Sequence, residues 1–336
     1  METRAVGSSG LVVGRLALGT LTWGEGPGHQ TGPDEAAAQL GAFREAGGTL
    51  VDTADRYGAG ASEDLLGRLL AATGARESIV LATQGGGRSP AGSGSRRSLL
   101  ASLDASLDRL RTDHVDLWQV HALDPAVPLD ETLAACDAAV TSGRARYAGT
   151  SDLAGWQLAA GATWQRAWPS RSPLVSAQVE YSLLERGVER EVVPAAAHTG
   201  VGLLPACPLG RGVLTGKYRR GTPADSRGAG EDGGSGSGTG SGSGSGSVAP
   251  YLDDRCTRIV DAVLTAADGL GVSPVSVALA WVRDRPGVAA PVVGARTAAQ
   301  LQAALASESV TLPAEIADAL SEVSAPVLGY PERPPG

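Results

Sequence analysis

The chain has 336 residues, 42% apolar and only 4% aromatic, so one large core is within reach and Ala, Val and Leu must fill most of it. A net charge of −8 and a pI near 5.1 tell against non-specific binding to nucleic acid or to an anionic membrane, but allow a dinucleotide, which needs only local positive charge. Residues 1–9 are polar with no apolar signal core, no run is long enough to span a bilayer, and Cys136, Cys207 and Cys256 are far apart and odd in number; the expectation is a reduced, cytoplasmic protein without a metal site.

Strand-like apolar runs alternate with helix-like segments throughout. A strand over 11–20 precedes a helix over 33–46, and one over 49–54 precedes a helix over 62–72. The strand at 78–84 leads through a Gly/Ser-rich loop to a helix over 96–110. Then come 114–121 with 130–142, 145–151 with 153–167, and 174–182 with 188–198. A strand over 201–209 precedes an irregular segment and a helix over 253–270. A further helix over 274–285 leads to a strand over 288–295 and a helix over 298–306. Pro33-Asp34-Glu35 and Ser62-Glu63-Asp64 place acids in first turns, and Pro274 lies early in its helix. That makes eight strand–helix units and one additional helix.

Strict alternation implies parallel strands with right-handed crossovers, and eight units imply closure. The expected fold is α/β, a (β/α)8 TIM barrel, over residues 1–336 as a single unit. Residues 233–247 are nearly pure Gly and Ser, which bury no apolar area and read as a disordered loop. Because strand seven precedes this insert and strand eight follows it, it reads as part of one barrel rather than a linker. Trp156, Trp164 and Trp168 are expected to pack. Trp23 either lines a substrate pocket or closes the barrel mouth.

Barrels of this kind place their sites at the C-terminal strand ends. There the sequence sets Asp52, Gln84, His121, Ser151 and Asp152, with Tyr57 on the loop behind strand two and Gln178 on strand six. Converging acid, phenol and imidazole suit proton transfer to a carbonyl. A hydroxyl beside a histidine also suits hydrolysis, but no Gly-x-Ser-x-Gly elbow is present. Asp152 reads equally as a helix N-cap. Gly294-Ala295-Arg296-Thr297, at the last strand-to-helix turn, offers N–H groups, a helix dipole and a fork-shaped cation to phosphate.

Six ordered stretches resemble the aldo-keto reductase family: DTADRYGAGASEDLLGRLL from Asp52, HVDLWQVHALDP, GRARYAGTSDLAGWQL, QVEYSLLERGVEREVVPAA, PLGRGVLTGKYR and PVVGARTAAQL, with an N-terminal LGT-LTWG run. The resemblance implies the barrel and a nicotinamide cofactor, NADPH. In that family Tyr donates a proton to the carbonyl oxygen, Lys paired to Asp lowers the Tyr pKa, and His orients the carbonyl. The matching positions are Tyr57, Asp52, His121 and, where Lys is expected, Gln84. A neutral amide cannot stabilise a tyrosinate as an ammonium does, and it leaves Asp52 without its charge partner. No other lysine stands in, since Lys217 is the only one in the chain.

Cofactor positions retained by the resemblance are Thr20, Gln178, Leu209, Gly210, Lys217, Arg227, Gly294, Arg296 and Gln300, with Ser151 at the nicotinamide amide and Arg296 at the 2′-phosphate. Departures are Asp152 for Asn, Ala206 for the stacking aromatic, Cys207 for the following Ser, Leu123 for a Trp and Ala304 for an Asn. Two functions follow as expectations. One is an NADPH-dependent reductase of an aldehyde or ketone, slowed by the missing Lys. The other is an NADPH-binding regulator or sensor with little catalysis, as potassium-channel β subunits show this fold allows. A small-molecule carbonyl substrate is expected, and neither nucleic acid nor membrane.

Overall fold

The computed structural model describes residues 1–24, 31–87, 92–219, 221, 223, 248–327 and 329. The chain opens with an antiparallel pair, β1 (Thr3–Ala5) and β2 (Val12–Gly14), in which Arg4 faces Val13. Eight parallel strands follow: β3 (Ala17–Gly19), β4 (Leu50–Asp52), β5 (Val80–Gly85), β6 (Val115–Val120), β7 (Ala145–Ser151), β8 (Leu174–Glu180), β9 (Gly202–Ala206) and β10 (Val292–Gly294). They lie in the order β10-β3-β4-β5-β6-β7-β8-β9. Closure is made just before β10. Leu203 N donates to Gly287 O, and Ala289 N donates to Leu203 O, both at 2.8 Å. The expected eight-stranded TIM barrel is what the chain forms.

Among the described residues ten α-helices accompany the strands: α1 (Pro33–Glu45), α2 (Ala61–Thr73), α3 (Arg96–Leu110), α4 (Leu129–Thr141), α5 (Gly155–Arg166), α6 (Val188–Thr199), α7 (Asp254–Leu270), α8 (Pro274–Arg283), α9 (Ala298–Leu305) and α10 (Ala314–Val323). Several starts are fixed by side-chain caps. Asp253 accepts from Cys256 N, Ser273 from Ser276 N and Thr297 from Gln300 N, each satisfying an N–H that the helix leaves open. Among the described residues no single helix is long and apolar enough to cross a membrane.

Three expectations need correction. The run over 11–20 is two strands, not one. Its first half pairs with Thr3–Ala5, and only Ala17–Gly19 enters the barrel. The bend between them brings the Arg15 guanidinium within 3.0 Å of Glu2 and 3.3 Å of Glu308. α10 is a second additional helix, docked where Trp281 Nε1 donates to Ser321 Oγ at 2.9 Å and Arg186 donates to Ser321 O at 2.6 Å. The three tryptophans do not pack inward: Trp156, Trp164 and Trp168 are 66%, 43% and 60% exposed, with Arg171 stacked 4.2 Å over Trp164. Trp23 is fully buried and donates to Gln39 on α1 at 3.0 Å, so it closes a seam rather than lining a pocket.

Two-residue periodicity along the strands sorts the interior into layers. The lower layer is apolar: Ala17, Leu50, Ala82, Leu117, Val175 and Leu204 join Val6, Leu11 and Val13 of the N-terminal hairpin, which plugs that end. Two residues further up β4, β5 and β6 stand Asp52, Gln84 and Gln119. The strands' outer sides carry Val51, Leu81 and Trp118 into the larger core beneath the helices.

α2 and α3 approach most closely at Gly67, where an added Cβ would lie 2.3 Å from Arg109 O and 2.8 Å from the Leu110 carbonyl carbon. Neither atom can yield without moving α3's last turn. The same seam buries Glu63, which accepts from Arg109 at 2.7 Å and from Thr83 at 2.5 Å. Gly67→Ala is therefore expected to lower stability by about 1–3 kcal/mol, read as a fall in the urea midpoint.

Candidate active site

The polar layer is built on one carboxylate. Asp52 ends β4 and is 1% exposed. Gln84 Nε2 donates to both of its oxygens at 3.2 Å, Gln178 Nε2 donates to Oδ1 at 3.0 Å, and Gln119 Nε2 reaches Oδ1 at 3.5 Å. The amides also hold one another, with Gln84 Nε2 donating to Gln178 Oε1 at 2.8 Å and Ser176 Oγ to Gln119 Oε1 at 2.9 Å. Among the described residues no cation enters this shell. Burial pushes the Asp52 carboxyl up to about 7, opposed by the bonds from Gln84 and Gln178.

Above this layer lies a cavity of ≈ 320 Å³. Asp52, Tyr57 and Gln178 line it, together with Cys207, Leu209 and Lys217 from the segment after β9 and Gly294, Arg296 and Gln300 from the turn after β10. These nine predicted positions are brought together. Burial, then the charges of Asp52, Cys207 and Asp152, push the Tyr57 hydroxyl well above its ordinary value, with Arg56 pulling the other way. His121 stands edge-on to the Tyr57 ring, with centroids 6.5 Å apart at 88°. Burial and then Arg56 lower it to about 4, so it is a neutral imidazole at neutral pH. Both of its ring nitrogens are buried without a protein partner.

Other predicted positions lie off the cavity wall. Thr20 is fully buried and braces β3 against β4, donating from N and Oγ1 to Asp52 O at 3.0 and 3.2 Å. Gly210 sits behind the wall, its N donating to Cys207 O. Ser151 pairs with Gln178 in the ladder. Asp152 faces a second, open depression shared with Glu180 and Arg190. Asp152 is not the cap of α5 either: that position is Ala154, whose N donates to Gln157 Oε1 at 2.9 Å. Arg227 and the insert over 233–247 lie outside the described residues.

Four contributors escaped sequence reasoning. Gln119 was legible, since it stands two residues above the interior Leu117. Arg211 sits on the cavity wall in the PLGRGVLTGKYR stretch, 3.7 Å from Glu180. Thr22, whose Oγ1 donates to Ala295 O at 2.9 Å, carries no sequence signal. Nor does Glu35, whose carboxylate accepts from Ala298 N at the start of α9. Glu35 and Thr297 thus satisfy N–H groups of that helix terminus internally. The cationic side chains on this wall are Arg211, Lys217 and Arg296. Among the described residues no three His, Cys, Asp or Glu are grouped to hold a metal ion.

Asp52 also links stability to pH. In the unfolded chain it ionises near 3.8; folded, it keeps its proton to about 7. The native state binds the extra proton between those values, so this contribution is fully present below 3.8 and is lost as pH rises to about 7. Asp52→Asn is expected to be more stable than the parent at neutral pH, with the gap closing on acidification through that window. Urea midpoints across the pH series read this directly.

The aldo/keto reductase family matches this chain over residues 15–325. The oxidoreductase YrpG of Bacillus subtilis (strain 168) is 32% identical over 96% of this chain and 96% of its own length. A probable voltage-gated potassium channel subunit beta of Oryza sativa subsp. japonica is 33% identical over 99% of this chain and 98% of its own. Versiconal hemiacetal acetate reductase of Aspergillus parasiticus is 31% identical over 98% of this chain and 99% of its own. With the barrel and the Asp52–Tyr57–His121 arrangement in view, the chain belongs to the aldo/keto reductase family.

Proposed function

We propose that this protein is an NADPH-dependent reductase of a small aldehyde or ketone, working in the reducing cytoplasm that its three widely spaced cysteines suit. The observation that carries the reading is the pairing of Tyr57 with a neutral His121 whose two ring nitrogens have no protein partner. A buried donor or acceptor left unpaired costs about 1–3 kcal/mol. A carbonyl oxygen held between the Tyr57 O–H and a His121 N–H would satisfy the donor nitrogen of that ring. NADPH, when bound, supplies the hydride. Its fit is supported by a cavity whose floor carries Tyr57 and Gln178 and whose outer wall carries Lys217 and Arg296. There Arg296 would take the 2′-phosphate and Lys217 the other phosphates, with Gln300 beside them and Leu209 and Cys207 as apolar wall. Ser151, Asp152 and Thr20 would act on the cofactor only from behind that wall.

A second reading, an NADPH-binding regulator with little turnover, is favoured by Gln84, which leaves the Asp52 carboxylate without a charge partner. The Oryza sativa relative is likewise named as a channel subunit.

NADPH fluorescence titration followed by an aldehyde panel separates the two. Saturable binding with oxidation supports the reductase; binding without oxidation supports the regulator. Gln84→Lys returns a cation to Asp52 and Tyr57 and should raise turnover roughly tenfold or more, within the range of general-acid effects. Failure of the parent and of that variant alike on every simple aldehyde, with NADPH still bound, would remove the reductase reading; failure of the variant alone would remove only the missing cation as the cause of slow turnover. Arg296→Ala should weaken NADPH about tenfold, the scale of one charge-assisted bond, and leave NADH nearly unchanged.

A further inference from the structure

The shell around Asp52 differs in kind from an ion pair. All its donors are neutral amides, from Gln84 on β5, Gln119 on β6 and Gln178 on β8. β3 adds Thr20, bonded to the Asp52 backbone. The titratable groups nearest the cavity floor are Tyr57, His121 and Cys207; Arg56 and Asp152 stand around Tyr57, and Arg211, Lys217 and Arg296 line the outer wall. Gln84 Oε1 is buried with no partner, on the same amide whose nitrogen touches both Asp52 oxygens. The last torsion of a glutamine is two-fold. Half a turn puts an acceptor where a protonated Asp52 points its O–H, and the opposite half turn restores a donor for the carboxylate. A lysine at residue 84 offers only donors. The shell is thus built to hold Asp52 in either protonation state.

Resting on the reductase reading, we propose that Asp52 is the proton reserve of this site: Tyr57 gives its proton to the carbonyl oxygen and takes its replacement from the Asp52 carboxyl. The balance is complete. Hydride supplies both electrons to the carbonyl carbon. The Tyr57 O–H bond breaks as the alcohol O–H forms. The Asp52 O–H bond breaks as the phenol is restored, directly or through one water in the cavity both residues line. The negative charge rests on Asp52 among three amide N–H groups, and solvent reprotonates it after the alcohol leaves. The directions of the two shifts agree with this, since Tyr57 is driven well above its ordinary value while Asp52 sits at about 7.

The test pairs kinetics of the NADPH-loaded enzyme with infrared difference spectra of the protein alone, from about pH 5.5 to about pH 8.5, a span chosen to bracket Asp52. The expected turnover falls as pH rises through neutrality, because the reserve is then empty. Asp52→Asn should lose that fall and at least tenfold in turnover, with NADPH binding unchanged. Gln84→Lys should lose the fall while turning over faster than the parent, since the ammonium fixes Asp52 as carboxylate and stabilises the phenolate instead. In the infrared, a protonated-carboxyl C=O band should vanish across neutrality in the parent and be absent in Asp52→Asn. The proposal is overturned if that band is missing throughout, or if Asp52→Asn keeps the parental turnover and pH profile. Absence of oxidation by parent and Gln84→Lys alike overturns the reductase reading and the relay with it; the infrared band, which needs no turnover, then tells whether Asp52 still titrates.

Discussion

The C-terminal half of this barrel depends on a buried carboxylate with no cation. Taking a charge out of water costs several kcal/mol even after the protein relaxes. Asp52 meets that cost with hydrogen bonds from three neutral amides and, near neutrality, with a proton. The strands dictate the arrangement. A period of two puts Leu50, Ala82 and Leu117 in the apolar layer and Asp52, Gln84 and Gln119 in the layer above it, so each strand contributes one polar side chain to the same plane. The fixed cations Arg211, Lys217 and Arg296 are kept to the outer wall. Fixed positive charge is thus confined to the rim, and the floor carries only groups that burial drives toward neutrality.

The two ends of the barrel divide the work. At the N-terminal end the hairpin β1–β2 seals the interior with Val6, Leu11 and Val13. At the other end the segment after β9 holds Cys207 and Arg211 in the left-handed region, with φ of 49° and 56°. For residues with a Cβ that conformation costs about 1 kcal/mol or more each. Local contacts sustain it: the Arg211 guanidinium lies 5.7 Å from the Tyr251 ring centroid and 3.7 Å from Glu180, and the Tyr251 hydroxyl donates to the same carboxylate. The bent wall of the cavity is thus clamped to residue 251, on the far side of the long segment after β9.

Most of the fold was legible because alternation of strand and helix survives in the sequence without tertiary help. Helix α3 begins and ends at the expected residues, between the Ser95 cap and the left-handed Arg111. The run over 11–20 misled because both of its halves are apolar, one facing the plug and one the barrel wall, and hydropathy does not register a bend at Arg15. Trp156, Trp164 and Trp168 misled in the opposite direction, since large aromatic area on a helix is ordinarily buried and here is not. α10 shows Ile316 and Leu320 at helical spacing, a signal that was present and unused. At the site, Asp52, Tyr57, Gln84 and His121 were readable from strand ends. The engagement of Gln178 by Gln84 was not, because it depends on how two strands three places apart in chain order face each other across the barrel.

The charge states of the floor bear on whether this site is for chemistry or only for holding a ligand. Burial drives all three groups toward their neutral forms: Asp52 upward, Tyr57 upward and His121 downward. A binding scaffold would be expected to satisfy such groups among themselves, since each buried polar atom left without a partner costs about 1–3 kcal/mol. Here both nitrogens of His121 and Gln84 Oε1 are left unpaired, as are Trp118 Nε1 and Thr150 Oγ1 on neighbouring strands. On the proposed reductase reading one His121 nitrogen serves the carbonyl oxygen and Gln84 Oε1 serves a protonated Asp52, whereas a protein that only held the cofactor would use neither.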